Sequence, residues 1–126
     1  MSEEKTIEQE IRAKGLTFPR VTPADVEANI VSEHYFTAEQ GTNHEGAIQS
    51  YHDGSDFDGD VSLRLLTFCV LVLRNGFTVT GESACASPEN FDAEIGRKIA
   101  RQNAVEKMWP LLGYELRSKL ASNTPT

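Results

Sequence analysis

The chain has 126 residues, 39% hydrophobic and 25% charged, with a net charge of −7; that fits one domain, residues 1–126, large enough to bury a core without disulfides or metal. No run of about 18 apolar residues occurs, so no membrane-spanning helix is expected. The first 60 residues carry 13 of the 19 acidic side chains and only 4 of the 12 basic ones, so a duplex nucleic acid, which demands a basic surplus, is not an expected partner.

Residues 1–16 read as a polar helix with Ile7, Ile11 and Leu16 as its anchors, inside a partly mobile segment over 1–20. The acidic, polar start Met1–Lys5 does not read as a secretory signal, which makes the cytoplasm the expected location. Thr22-Pro23-Ala24-Asp25 has the order of a helix start: a capping hydroxyl, a first-position proline and a capping-box acid. Val26, Ile30 and Val31 follow at helical spacing, with Tyr35 and Phe36 beyond, and predict a helix over about 23–36. Between Thr37 and Asp60 apolar residues nearly vanish, which predicts an acidic, flexible loop over 37–60.

Leu65–Leu73 is a strand-like apolar run, and Asn75-Gly76 is the strongest short hairpin signal. A two-residue turn there sets Arg74 opposite Phe77, Val72 opposite Val79 and Val70 opposite Gly81. One face then carries Phe68, Val70, Val72, Phe77 and Val79 and is predicted to cover the core. The other carries Cys69, Leu71, Leu73, Thr78, Thr80 and Glu82, too apolar on one strand for water, so a helix or another subunit must cover it. Cys69 and Cys85 point to opposite faces and are expected as buried free thiols.

Ser87-Pro88-Glu89 predicts the next helix start. Phe91, Ile95, Ile99 and Val105 form a bulky stripe, while Gly96, Ala100 and Ala104 form a separate strip of small residues that admits a close backbone approach. Pro110 is predicted to end or kink this helix near Trp109, with a second helix over 110–120. The predicted class is α+β: an N-terminal helix, a β-hairpin with an Asn-Gly turn, then a C-terminal helix pair kinked at a proline, with residues 65–120 as the core unit.

Chemistry is sparse. Asp56, Asp58 and Asp60 match the first three ligands of a calcium loop, but Val61 replaces the turn glycine and Thr67 the bidentate acid. His34, His44 and His52 have no metal-site spacing. There is no phosphate-binding glycine motif and no nucleophile elbow. No catalytic residue, cofactor or metal is therefore assigned; the chain is not expected to be an enzyme, and a small enzyme of unknown type ranks third behind the two binding readings below. Arg97, Lys98 and Arg101 form a basic cluster that either pairs with Glu94 or, with Trp109 and Tyr114 as stacking surfaces, grips an anion or nucleotide. Cys69, Leu71 and Leu73, with Gly96, Ala100 and Ala104, are the candidate interface to another chain.

The runs Asn75–Ala84 and Pro88–Asp92, then Ile95-Gly96, Ala100, Trp109 and Gly113-Tyr114, resemble a family of small phage proteins typified by the gene-49 product of coliphage N-four and the gene-66 product of a Shigella phage. The likeness covers 65–120 closely and 20–36 more loosely. It implies a phage or prophage accessory protein in the host cell cytoplasm, with no family catalytic or ligand residue to carry over. The expected activity is non-enzymatic binding of a host component, in host takeover or counter-defence. Its partner would be a host protein or, for an oligomeric sponge, a small anionic nucleotide used as an immune signal.

Overall fold

The computed structural model describes residues 3–52 and 59–123. Helix α1 spans Glu3–Ala13 and α2 Pro23–Ala28, followed by strand β1 at Ile30–Thr37. Short helices α3, Ala38–Thr42, and α4, Gly59–Arg64, precede strands β2, Leu66–Leu73, and β3, Thr78–Ala84. A 3-10 turn at Pro88–Asn90 leads into one long helix, α5, Ala93–Ser122. The class is α+β, a three-stranded antiparallel sheet in the order β1-β2-β3 with α5 across one face.

The capping box at Thr22 forms as its residues require. The Asp25 amide donates to Thr22 Oγ1 at 3.1 Å, and the Thr22 amide donates to Asp25 Oδ2 at 2.9 Å. The helix it opens is short, however. The predicted helix over 23–36 stops at Ala28, and Ile30 to Thr37 is a strand. The β-branched and aromatic residues Ile30, Val31, Tyr35 and Phe36 favour an extended chain once a neighbouring strand is available. Thr37 then caps α3 through a second capping box with Gln40, Ala38 is buried, and Gly41 lies against the Phe36 ring. The predicted loop over 37–60 thus contains packed structure at its start, while Asp53–Asp58, the heart of the calcium-like run, lies outside the described residues.

The hairpin is present but shifted by one residue from the predicted register. Leu73 pairs across from Phe77: its amide donates to the Phe77 carbonyl at 2.8 Å, and the Gly76 amide donates back to the Leu73 carbonyl at 2.8 Å. Arg74, Asn75 and Gly76 make a three-residue loop, with Gly76 alone at positive φ, +90°. A two-residue type I′ turn would need positive φ at Asn75 as well. The pairs are Leu71 with Val79 and Cys69 with Gly81. A one-residue slip moves a whole strand's side chains to the opposite face, and Val79 accordingly joins Leu71 rather than Val72.

The predicted core face is therefore inverted on β2, whereas Val79 is buried as predicted. Cys69, Leu71, Leu73 and Val79 are buried, and α5 is the helix that covers them. Phe77 is 55% exposed. On α5 the buried residues are Gly96, Ala100, Ala104, Val105, Met108 and Leu112; of the predicted bulky stripe Val105 is thus in the core, whereas Ile95 and Ile99 are exposed. The small strip does admit a close approach, and the approaching backbone is the sheet. A Cβ at Gly81 would stand 2.1 Å from the Ala100 carbonyl oxygen. Pro110 does not end the helix: α5 runs through it as a single element, in place of the predicted pair. The hydrogen bond it cannot donate is to the Glu106 carbonyl; both residues lie on the exposed side of the helix, with Met108 and Leu112 buried on the inner side. The helix begins at Asp92, whose carboxylate accepts from the Ile95 amide at 3.0 Å, and not at Ser87.

Candidate functional site

The candidate interface residues lie inside the chain. Cys69 and Leu71 are fully buried and Leu73 nearly so, and Gly96, Ala100 and Ala104 face the sheet. The apolar second face of the hairpin is covered by the protein's own helix, so these six residues offer no surface to a partner. Burial pushes the Cys69 thiol above its ordinary range.

The candidate anion residues do not converge. At 1.5 Å per residue, Arg97 and Tyr114 lie about 26 Å apart along α5. Lys98 pairs with Glu94 one turn earlier, at 3.3 Å. Arg101 forks onto two carboxylates: Nη1 and Nη2 donate to Glu27 at 3.1 and 2.7 Å, and Nε donates to Glu33 Oε1 at 2.8 Å. Tyr35 donates its hydroxyl to the same Glu33 oxygen at 2.7 Å. Arg101 first, then Tyr35, holds the Glu33 carboxyl below the usual range. This cluster is a strap joining α2, the edge strand β1 and α5, and its guanidinium is spent on that. Trp109 is half-buried against the core, and its Nε1 finds no acceptor among the described residues. Tyr114 is 78% exposed.

Two adjoining hollows lie instead at the end of the molecule where the hairpin tip meets the last turns of α5. The first is a cleft of about 470 Å³ between Asn29, Leu73–Asn75 and Phe77 and the α5 residues Leu111, Leu112, Glu115 and Lys119. The second, about 250 Å³, continues past Arg74 to Arg20, Val21 and Asp25. The tip is fixed in place by the α2–β1 junction: the Arg74 amide donates to the Asn29 carbonyl at 2.9 Å, and its guanidinium to the Ala28 carbonyl. Arg20 is held by Glu8 of α1, and Lys119 by Glu115 at 3.5 Å. The cleft is thus lined by the apolar Leu73, Phe77, Leu111 and Leu112, the side-chain amides of Asn29 and Asn75, and the charged Arg74, Glu115 and Lys119. Exposed Phe77 and Leu111, at 55% and 39%, flank its mouth. The sequence hid this site because its residues come from four separate segments, and because the two-residue turn assigned Phe77 to the core.

The model of the phage protein (N4 Gp49/phage Sf6 gene 66) family matches residues 21–120. The chain belongs to this family. No curated protein and no solved structure matches it. The family match starts just ahead of the Thr22 cap and ends within the last turn of α5, so it takes in the whole sheet, α2 to α5 and the cleft, and leaves out α1. Among the described residues no helix is long and apolar enough to cross a membrane, and no group of His, Cys, Asp and Glu converges as for a metal. His34 shares a hydrogen bond with Ser32, and His44 accepts from the Gly46 amide.

Proposed function

We propose that this phage-family protein is a non-enzymatic accessory factor that binds a host protein through the cleft at the hairpin tip. One observation carries the reading: exposed Phe77 and Leu111 line a concavity of about 470 Å³ together with buried Leu73 and Leu112 and a set of amide and charged side chains. That is the arrangement of a recognition pocket, where apolar anchors supply affinity and a few polar groups supply orientation. The titratable clusters support binding over catalysis. Arg101, Glu33, Glu27 and Tyr35 saturate one another in a strap, and Cys69 is inaccessible. Host takeover or counter-defence is the role this implies for a phage-family accessory protein in the host cytoplasm.

A second reading, capture of a small anionic nucleotide, would use Arg20, Arg74 and Lys119 around the two hollows, which an anion would have to draw from Glu8, the Ala28 carbonyl and Glu115, and gains nothing from Arg97, Lys98 and Arg101. The test for both uses the tagged full chain and a Phe77→Asp/Leu111→Asp variant, both residues being exposed. A stoichiometric host protein retained from bacterial lysate by the wild type and lost by the variant, then bound in direct titration as purified protein, supports the first reading. Retention by both, or by neither, overturns it. Titration with cyclic nucleotides that gives neither heat nor a thermal shift removes the second.

A further inference from the structure

The two hollows at the hairpin tip share Asn29, Arg74 and Leu112, and the hydrogen bonds already made there decide what this shared wall can still do. The Asn29 side-chain oxygen accepts from the Arg74 amide at 3.2 Å, and the Asn75 side-chain oxygen accepts from the Phe77 amide at 2.9 Å. A backbone N–H needs an acceptor opposite it, so each carboxamide is fixed in orientation, with its oxygen used and its NH₂ left over. Neither NH₂ has an acceptor among the described residues. Arg74 adjoins both. Its guanidinium donates to the Ala28 carbonyl, which is neutral and leaves the charge uncancelled, and its other N–H groups have no partner among the described residues. The acids of the two hollows are engaged, Glu115 by Lys119 at 3.5 Å and Asp25 by the Thr22 amide at 2.9 Å. In a chain of net charge −7, the unused groups of this wall are therefore donors, and its uncancelled charge is positive.

We infer that this wall binds a carboxylate, and that the occupant of the cleft is an extended protein segment in which an Asp or Glu stands between two large apolar side chains. The inference rests on the cleft being the partner site proposed above, and it names the chemistry of that partner. A carboxylate only accepts, and it takes several N–H donors at once, with a gain in strength from its charge. An ammonium or guanidinium group would meet donors and the Arg74 charge, and so is rejected. The apolar neighbours follow from the two hollows. The first offers Leu73, Phe77 and Leu111, the second Val21 and Leu116, and the donors lie where the two meet. A segment running from one hollow into the other places an apolar group in each and its acid at the wall, whereas a chain end would fill one hollow only. In an extended chain, side chains two apart point the same way, so the pattern is apolar-x-acid-x-apolar. No cation has to leave its present partner for this, in contrast with a nucleotide gripped by Arg20 and Lys119. The rest of the acidic chain repels such a segment, and the wall selects the one whose acid reaches it.

The probes are the capped peptide acetyl-Leu-Ala-Glu-Ala-Leu-amide and its counterparts with Gln or Lys in place of Glu. Each is titrated into the full chain and followed by the side-chain NH₂ signals of Asn29 and Asn75 in nitrogen–proton correlation spectra. The Glu peptide is expected to bind with a Kd of about 0.1–1 mM, to move both NH₂ signals, and to bind at least about 10-fold more tightly than the Gln peptide. The Lys peptide is expected not to bind. Asn29→Asp with Asn75→Asp keeps both oxygens that hold the hairpin tip and removes both NH₂ groups. With cooperative melting retained, this variant should bind the Glu peptide about 10-fold or more weakly and should gain affinity for the Lys peptide. Should it not fold, the comparison of the three peptides on the wild type decides alone. Equal binding of the Glu and Gln peptides overturns the inference, as does a folded double variant that binds the Glu peptide like the wild type, or no binding of any peptide up to about 10 mM. Binding of acetyl-Leu-Leu with a free carboxylate, without binding of the Glu peptide, assigns the wall to chain ends and overturns the side-chain source. Lysate capture that depends on Phe77 and Leu111 is read separately, so the partner site can stand where its proposed acid preference fails.

Discussion

Replacing Gly81 by alanine puts a methyl group where α5 already sits. The added carbon would lie 2.1 Å from the Ala100 carbonyl oxygen, 2.3 Å from the Ala104 amide nitrogen and 2.9 Å from the Ala104 Cα, where ordinary contact starts at 3.4 Å. All three are backbone atoms, so no rotamer change relieves the overlap. The helix must lift by roughly 1 Å, and a gap of that size forfeits about a quarter to a half of each dispersion contact beneath it. Leu71, Val79, Ala104 and Met108, all buried in one cluster, lose packing together. Overpacking usually costs about 1–3 kcal/mol. With backbone on the facing side the upper end applies, about 3 kcal/mol, a large share of the 5–15 kcal/mol that holds a typical domain. In a chain of this size that lowers Tm by about 10 °C. Urea unfolding followed by circular dichroism reads the loss, with Gly113→Ala as control. Nothing lies within 4 Å of a Cβ at Gly113, so that change should be neutral or stabilise the helix by up to about 1 kcal/mol. A Gly81→Ala protein that loses less than about 1 kcal/mol at unchanged m-value would refute the close seating of α5.

Two further outcomes follow from the strap and the thiols. Glu33 has its pKa lowered in the folded state, by Arg101 first, so its contribution is fully present above about pH 4.5 and is lost as pH falls through the lower folded value. Arg101→Gln should therefore reduce stability at pH 7, by about 1 kcal/mol or less because the strap is partly solvated, and should flatten the decline below pH 4.5; identical acid limbs in chemical denaturation would contradict this. Of the two free thiols, Cys69 is sealed under α5 with its pKa raised by burial, while Cys85 is half-buried. A thiol reagent should label Cys85 alone in the native protein, and Cys69 only at the rate of unfolding.

What could be read from the sequence was local. The Thr22 capping box, the hairpin strands and the Gly96/Ala100/Ala104 strip as a surface of close approach all depend on neighbours a few residues apart, and all are present. What could not be read depended on the rest of the molecule. Ile30–Phe36 suits a helix or a strand by spacing, and only pairing with β2 decides between them. Asn75-Gly76 serves a two-residue or a three-residue loop, and that one residue decides which face Val79 joins. Gly81 was the available signal: a glycine inside a strand marks a close backbone approach, and it shares a face with Cys69 and Leu71 rather than with Val70. Trimming residues 37–60 would also do more than shorten a loop, because α3 shields Phe36 at the end of the sheet. The cleft was hidden for a related reason, since Asn29, Arg74, Phe77 and Leu111 become neighbours only after the hairpin tip docks on the α2–β1 junction.

The seat of α5 on Gly81 also limits how the protein can vary. The atoms that crowd a Cβ at position 81 are a carbonyl oxygen, an amide nitrogen and an α-carbon, and every amino acid carries these. No substitution at Ala100 or Ala104 can trim them. A larger residue at position 81 thus has no second-site suppressor on the facing helix turn and could be rescued only by moving the helix as a body. At this one glycine the backbone itself withholds any compensating change.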